Sequence, residues 1–121
     1  MICVVIESPF AGDVERNIEY ARACVKDCLS RDEAPFASHL LYTQPGILDD
    51  TIREERRLGI LAGFRWRSAA EKTVVYTDLG TSAGMHMGID HARELARTGK
   101  HTVEFRTLPG WESASGRHPT V

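Results

Sequence analysis

The sequence predicts an α/β fold, a parallel sheet of four to five strands covered by helices on both faces, and three observations predict it. Apolar segments along the 121 residues alternate as strand, helix, strand, helix, strand, helix, strand. Right-handed crossovers turn that order into a parallel sheet. Two of the strand segments, residues 2–6 and 73–77, are continuous and mostly β-branched rather than alternating, which calls for cover on both faces. Length and composition complete the case: 42% hydrophobic and 26% charged residues in a chain this short suit one core and no second domain.

Residues 2–6 form a buried strand that runs at once into Glu7-Ser8-Pro9-Phe10-Ala11-Gly12. Asp13 then caps a helix whose inner face carries Val14, Ile18, Ala21, Val25, Cys28 and Leu29, with Glu15, Arg16, Glu19, Arg22 and Lys26 outside. Residues 34–37 make a short second strand, weakened by Pro35, which is tolerable at a strand's first position. Residues 38–51 have no clean period, and irregular segments of that length in small domains usually serve function. A second helix runs from Arg53 to about Ala70 and contains Gly59 and Gly63. Each glycine costs a helix about 1 kcal/mol against alanine, so the pair implies close packing or a ligand over that face. Residues 73–77 are the clearest strand. Asp78 stands at its end, a turn covers 79–83, and Met85, Ile89, Ala92, Leu95 and Ala96 mark a third helix stopped by Gly99. Residues 102–105 form the last strand, and 109–121 have the composition of a flexible tail.

Charge and composition also exclude functions. Fifteen basic against seventeen acidic residues give a net charge of -2, without the basic excess of a nucleic-acid binder. No apolar run is long enough to span a membrane, and the first residues lack a signal-peptide pattern. Cys3, Cys24 and Cys28 are an odd count that suits reduced packing cysteines and a cytoplasmic protein. The histidines show no metal-ligand spacing, so neither a metal nor another cofactor is expected.

In parallel sheets ligands sit beyond the carboxyl ends of the strands. There the chain places residues 7–12, 38–50 and 78–84. The first segment opens a helix directly after a buried strand, where backbone N–H groups and the Ser8 hydroxyl favour an anion or a sugar; a tight connection capped by Asp13 is the plainer reading. In the third, Ser82 caps the next helix, Gly84 lets a ligand approach its first turn, and Asp78 either binds ribose hydroxyls or caps the turn. His39, beside Ser38 and Tyr42, is an acid, a base or a ligand donor, or else makes a structural hydrogen bond. Trp66 and Trp111 are the anchors of a protein-interaction module if no small ligand binds.

The segments Ile-Glu-Ser-Pro-Phe-Ala-Gly-Asp-Val-Glu-Arg-Asn, Ala-Pro-Phe-Ala-Ser-His-Leu-Leu-Tyr-Thr-Gln and Val-Val-Tyr-Thr-Asp-Leu-Gly-Thr-Ser-Ala-Gly-Met resemble an uncharacterised family of phages and bacteria. That family is similar to the nucleoside 2-deoxyribosyltransferase-like superfamily. The resemblance covers residues 2–108 and implies a deoxyribosyltransferase-like domain at 1–108, folded as a small Rossmann-like three-layer sandwich and paired as a homodimer or larger. It implies cleavage or exchange of an N-glycosidic bond without a metal, with Glu7, Ser8 and Gly12 in the loop that holds sugar or phosphate. The superfamily's nucleophilic glutamate falls on Gly88, and its helix acid near Gly63 or Phe64. A glycosyl-enzyme intermediate needs a carboxylate at the anomeric carbon, so the expectation is a sensor or sequestering protein that keeps the pocket and lacks the nucleophile. The alternative is an N-glycosidic hydrolase or transferase with Glu7, Asp78 or His39 in non-standard catalytic roles. The expected ligand-binding residues are Ser8, Phe10, Gly12, His39, Tyr42, Asp78, Ser82, Gly84 and Met85. The subunit interface is expected on the 20–29 helix face or on the Gly59/Gly63 helix.

Overall fold

The computed structural model describes residues 1–111, so the tail expected at 109–121 lies largely outside the described residues. Four strands, β1 (Ile2–Glu7), β2 (Glu33–Phe36), β3 (Lys72–Tyr76) and β4 (Thr102–Arg106), alternate with helices α1 (Val14–Ser30), α2 (Ser38–Leu41), α3 (Arg53–Ala69) and α4 (Ala83–Ala96). All pairings are parallel and the strand order is β2-β1-β3-β4, which bears out the predicted class. β1 and β3 are the central strands; Val4, Val5, Ile6, Val74, Val75 and Tyr76 are buried. Each such side chain contributes about 1.5–3 kcal/mol when fully withdrawn from water. Cys3, at the exposed start of β1, does not join them.

The two faces of the sheet divide the chemistry. Val4, Ile6, Val74 and Tyr76 point to α1 and pack with Tyr20, Cys24 and Cys28. On that face Arg106 grips Glu33 with two bonds of 2.8 and 2.6 Å and also bonds Glu104 at 2.7 Å. The Arg106 guanidinium holds the Glu33 carboxyl below its usual range and, with Lys72, brings Glu104 down to about 2. The opposite face carries Val5, Glu7, Thr73 and Val75 by alternation along the strands. Val75 packs there with Met85 and Ile89 of α4.

Two sequence expectations shift for physical reasons. Pro35 is the third residue of β2, paired with Val4, and β2 is an edge strand whose outer side needs no N–H. The helix face formed by Tyr20, Cys24 and Cys28 is fully buried against the chain's own sheet, which removes it as a subunit interface.

Candidate functional site

A cavity of about 230 Å³ opens at the carboxyl end of β1, walled by the loop after β1 and by α2, α3 and the start of α4. Each wall has a local cause. Asn17, on the first turn of α1, donates to the carbonyls of Phe10 and Ala11 at 2.9 and 3.0 Å and fixes the loop that carries Ser8. The irregular segment expected at 38–51 begins with the single turn of α2. Thr43 and Gln44 donate back to the carbonyls of His39 and Leu40. Thr51 donates to Asp49 from both its backbone and its hydroxyl, and Glu55 accepts the Asp49 N–H at 2.8 Å. Those bonds organise the entry to α3, whose N-cap residue, Ile52, has no capping side chain.

The glycines of α3 are explained by what they face. A Cβ at Gly63 would lie 2.8 Å from Ser38 Oγ, and one at Gly59 would lie 3.3 Å from Leu48. Their absence lets the 38–52 segment close over the helix and leaves room in the cavity, which both glycines line. Arg67 follows at the same four-residue spacing and is buried. It donates through Nη2 to Glu7 Oε2 and through Nη1 to Thr73 Oγ1 at 2.9 Å. His101 Nδ1 lies 3.0 Å from the Ala70 carbonyl, which can only accept, so that nitrogen carries the proton. Its Nε2 is therefore the acceptor for Thr73 Oγ1 at 2.7 Å.

Glu7, the last residue of β1, sets its carboxyl in the cavity wall. Arg67 takes Oε2, while Oε1 has no protein donor among the described residues. Burial raises the Glu7 carboxyl above its usual range, against the opposing pull of Arg67. Gly88 of α4 lies directly against it: a Cβ there would come within 2.7 Å of Oε1 and nearer still to the rest of the carboxyl. A side chain at 88 and the glutamate at 7 exclude each other in these positions.

Beside Glu7, Ser8 Oγ and His39 Nε2 are in hydrogen-bond contact at 2.6 Å. Burial, with the Arg67 charge nearby, lowers His39 to about 4 and keeps its ring neutral at pH 7. Ser82 N-caps α4 by accepting from the Met85 N–H at 3.2 Å. Of the expected site residues, Glu7, Ser8, Phe10, His39, Tyr42, Ser82, Gly84 and Met85 all line this one cavity.

Asp78 and Gly12 are not among the lining residues. Asp78 is buried on the α1 side, where its Oδ2 accepts from Tyr20 Oη at 2.9 Å and from the Leu108 N–H at 2.8 Å. Gly12 supplies a turn at φ 99°. Trp111 packs on Tyr20 with ring centroids 5.0 Å apart rather than standing out as an anchor. Trp66 is 53% exposed; it stacks on Phe36 and donates to Tyr42 Oη. Arg67 was not singled out by the sequence; the spacing of Gly59, Gly63 and Arg67 along one helical face was the available signal. Among the described residues no group of three or more His, Cys, Asp or Glu is placed to hold a metal ion, and no helix is long and apolar enough to cross a membrane.

Residues 2–102 match the model of the family described as Domain of unknown function (DUF7768). No curated protein matches the sequence. Among solved structures, the fold is similar to a 2-deoxyribosyltransferase from the psychrotolerant bacterium Bacillus psychrosaccharolyticus, a biocatalyst for nucleoside synthesis. The superposition has a TM-score of 0.54 at 12% identity and covers 93% of this chain and 90% of that one. The sheet and its helical layers are shared with that Rossmann-like fold.

Proposed function

The chain belongs to the DUF7768 family, and from that premise we propose that its cavity binds a nucleoside, nucleotide or related ribosyl ligand. One observation carries the reading: Ser8, His39, Ser82 and a carboxyl oxygen without a protein donor converge on a single pocket at the carboxyl edge of a parallel sheet. Ribose offers hydroxyls that both donate and accept, which suits a serine, a neutral imidazole and a carboxylate. Phe10, Tyr42, Phe64 and Met85 supply apolar wall for a base. The deoxyribosyltransferase-like fold supports this ligand class.

The test is a melting-shift series with ribo- and deoxyribonucleosides and their 5′-monophosphates. A saturable upward shift with at least one of them is expected. Ser8→Ala removes a hydrogen bond worth about 0.5–1.5 kcal/mol, so affinity should fall roughly 2- to 13-fold with the fold intact. No shift with any member of the series refutes the reading.

A self-associated form is the second proposal, and the outer face of α3 favours it. Leu58, Leu61 and Trp66 are 58%, 46% and 53% exposed on the helix that walls the cavity, and a small domain gains core by pairing. Light scattering at micromolar concentration should report a dimer or larger, and Leu58→Lys should shift it toward monomer. Three free cysteines, two of them buried, suit a reducing, cytoplasmic setting.

A further inference from the structure

We propose that Glu7 is the reacting carboxylate of this cavity, a nucleophile delivered from the end of β1 onto ground that Gly88 leaves bare. The inference rests on the ribosyl-ligand reading above and goes beyond it from binding to chemistry.

The geometry separates Glu7 from the other acids. Asp50 and Glu55 also line the cavity, but Asp50 lies 3.8 Å from Arg56 and Glu55 is engaged by the Asp49 N–H. Asp78 is turned to the α1 side. Glu7 alone of these is partly buried at a strand end, held through one oxygen by a buried cation, with the other oxygen free of protein donors among the described residues. That is the arrangement a carboxylate nucleophile requires: one oxygen fixes direction and the other keeps its lone pairs for the electrophile.

Position 88 supplies an independent observation. Any Cβ there would displace the carboxyl, so the sequence of α4 is matched to the presence of Glu7. The glycine that, by resemblance, marks a missing nucleophile is in the structure the clearance for one arriving from the opposite wall. Arg67 is the positioning residue, and it is itself held by Thr73.

Glu7 Oε1 attacks the anomeric carbon of a bound nucleoside, and the bond from that carbon to the base nitrogen breaks. The electron pair of the broken bond leaves with the base, which takes a proton from water. The resulting hydroxide attacks the same anomeric carbon and breaks the glycosyl ester, which frees the sugar and restores the Glu7 carboxylate. The net reaction consumes one water per nucleoside.

The experiment uses the full chain with a 2′-deoxy-2′-fluoro-arabinosyl purine nucleoside, whose fluorine slows release of a glycosyl ester. Intact-mass spectrometry should show one fluoro-pentosyl addition, and peptide mapping should place it on Glu7. In parallel, free base released from deoxynucleosides and from nucleoside 5′-monophosphates is followed by chromatography. Glu7→Gln keeps the shape and a hydrogen-bond acceptor for Arg67. It should lose base release by roughly a thousandfold or more, a far larger loss than the weakening of the nucleoside melting shift that a changed hydrogen-bond partner brings. An adduct on another residue, or base release unchanged in Glu7→Gln, overturns the proposal. A melting shift in the wild-type chain with neither adduct nor base release also overturns it, yet leaves the binding reading standing. Should Glu7→Gln fail to fold, the location of the adduct in the wild-type chain decides.

Discussion

Replacing Gly88 by alanine tests the packing of Glu7 without reference to any ligand. The added Cβ would sit 2.7 Å from Glu7 Oε1 and closer to the other carboxyl atoms. An ordinary contact needs more than 3 Å, so the carboxyl must turn away, and turning away breaks its pair with Arg67. The guanidinium then stays buried with Thr73 as its remaining partner, and its Nε already lacks one among the described residues. Breaking one side of a buried pair costs about 3–5 kcal/mol. Alanine in a helix interior returns about 1 kcal/mol over glycine. Gly88→Ala should therefore lose about 2–4 kcal/mol in urea denaturation. In a Glu7→Ala background the obstruction is gone and only the helical gain remains, so the same substitution should stabilise by about 0.5–1 kcal/mol. The sign reversal is the signature, and a four-protein cycle measures it. A harmless Gly88→Ala in the wild-type chain, or an equal loss in both backgrounds, would refute the argument.

Other outcomes follow from the remaining contacts. His39 binds protons less readily folded than unfolded, so its contribution is intact above about pH 6.5 and lost as pH falls toward about 4. His91 and His101, also lowered, act in the same direction, while the raised Glu7 opposes them. Denaturant titrations from pH 7 to 4.5 should show a decline that His39→Gln reduces by roughly 1–3 kcal/mol; an unchanged pH slope in that variant contradicts it. Arg106→Met leaves Glu33 buried without its two bonds and should cost about 3–5 kcal/mol, with Arg106→Lys intermediate because one ammonium cannot grip both oxygens. Asn17→Ala frees the carbonyls of Phe10 and Ala11 and should speed amide exchange across residues 8–12 while leaving α1 protected.

What was legible in the sequence follows from which physical signal was strongest. β1 and β3 could be read because strands covered on both faces show near-continuous apolar runs, and the alternation with helices then set the topology. The three segments at the carboxyl edge were legible for the same topological reason. His39 was legible as a neighbour of a strand end, and the structure places it on Ser8. Asp78 misled because a polar residue ending a buried strand has two ways to turn, and Tyr20 with the Leu108 N–H draws it to the α1 face. Arg67 was hidden because an arginine on a helix reads as solvent-facing by default. Its burial comes from a partner sixty residues earlier in the chain. In the sequence Gly88 reads as something lost, whereas its meaning depends on what stands opposite, which no local pattern contains.

The chain of bonds from Glu7 through Arg67 and Thr73 to His101 has a mechanical consequence. Arg67 hangs from Thr73 at the start of β3, and Thr73 is latched by an imidazole just before β4, which is itself pinned to the turn after α3. The stiffness of the cavity wall is thus borrowed from the amino-terminal edge of the sheet, opposite the end where a ligand would enter. A change at residue 101 that spares the fold would loosen the wall from behind, so damage there would register in the cavity before it registered in the core.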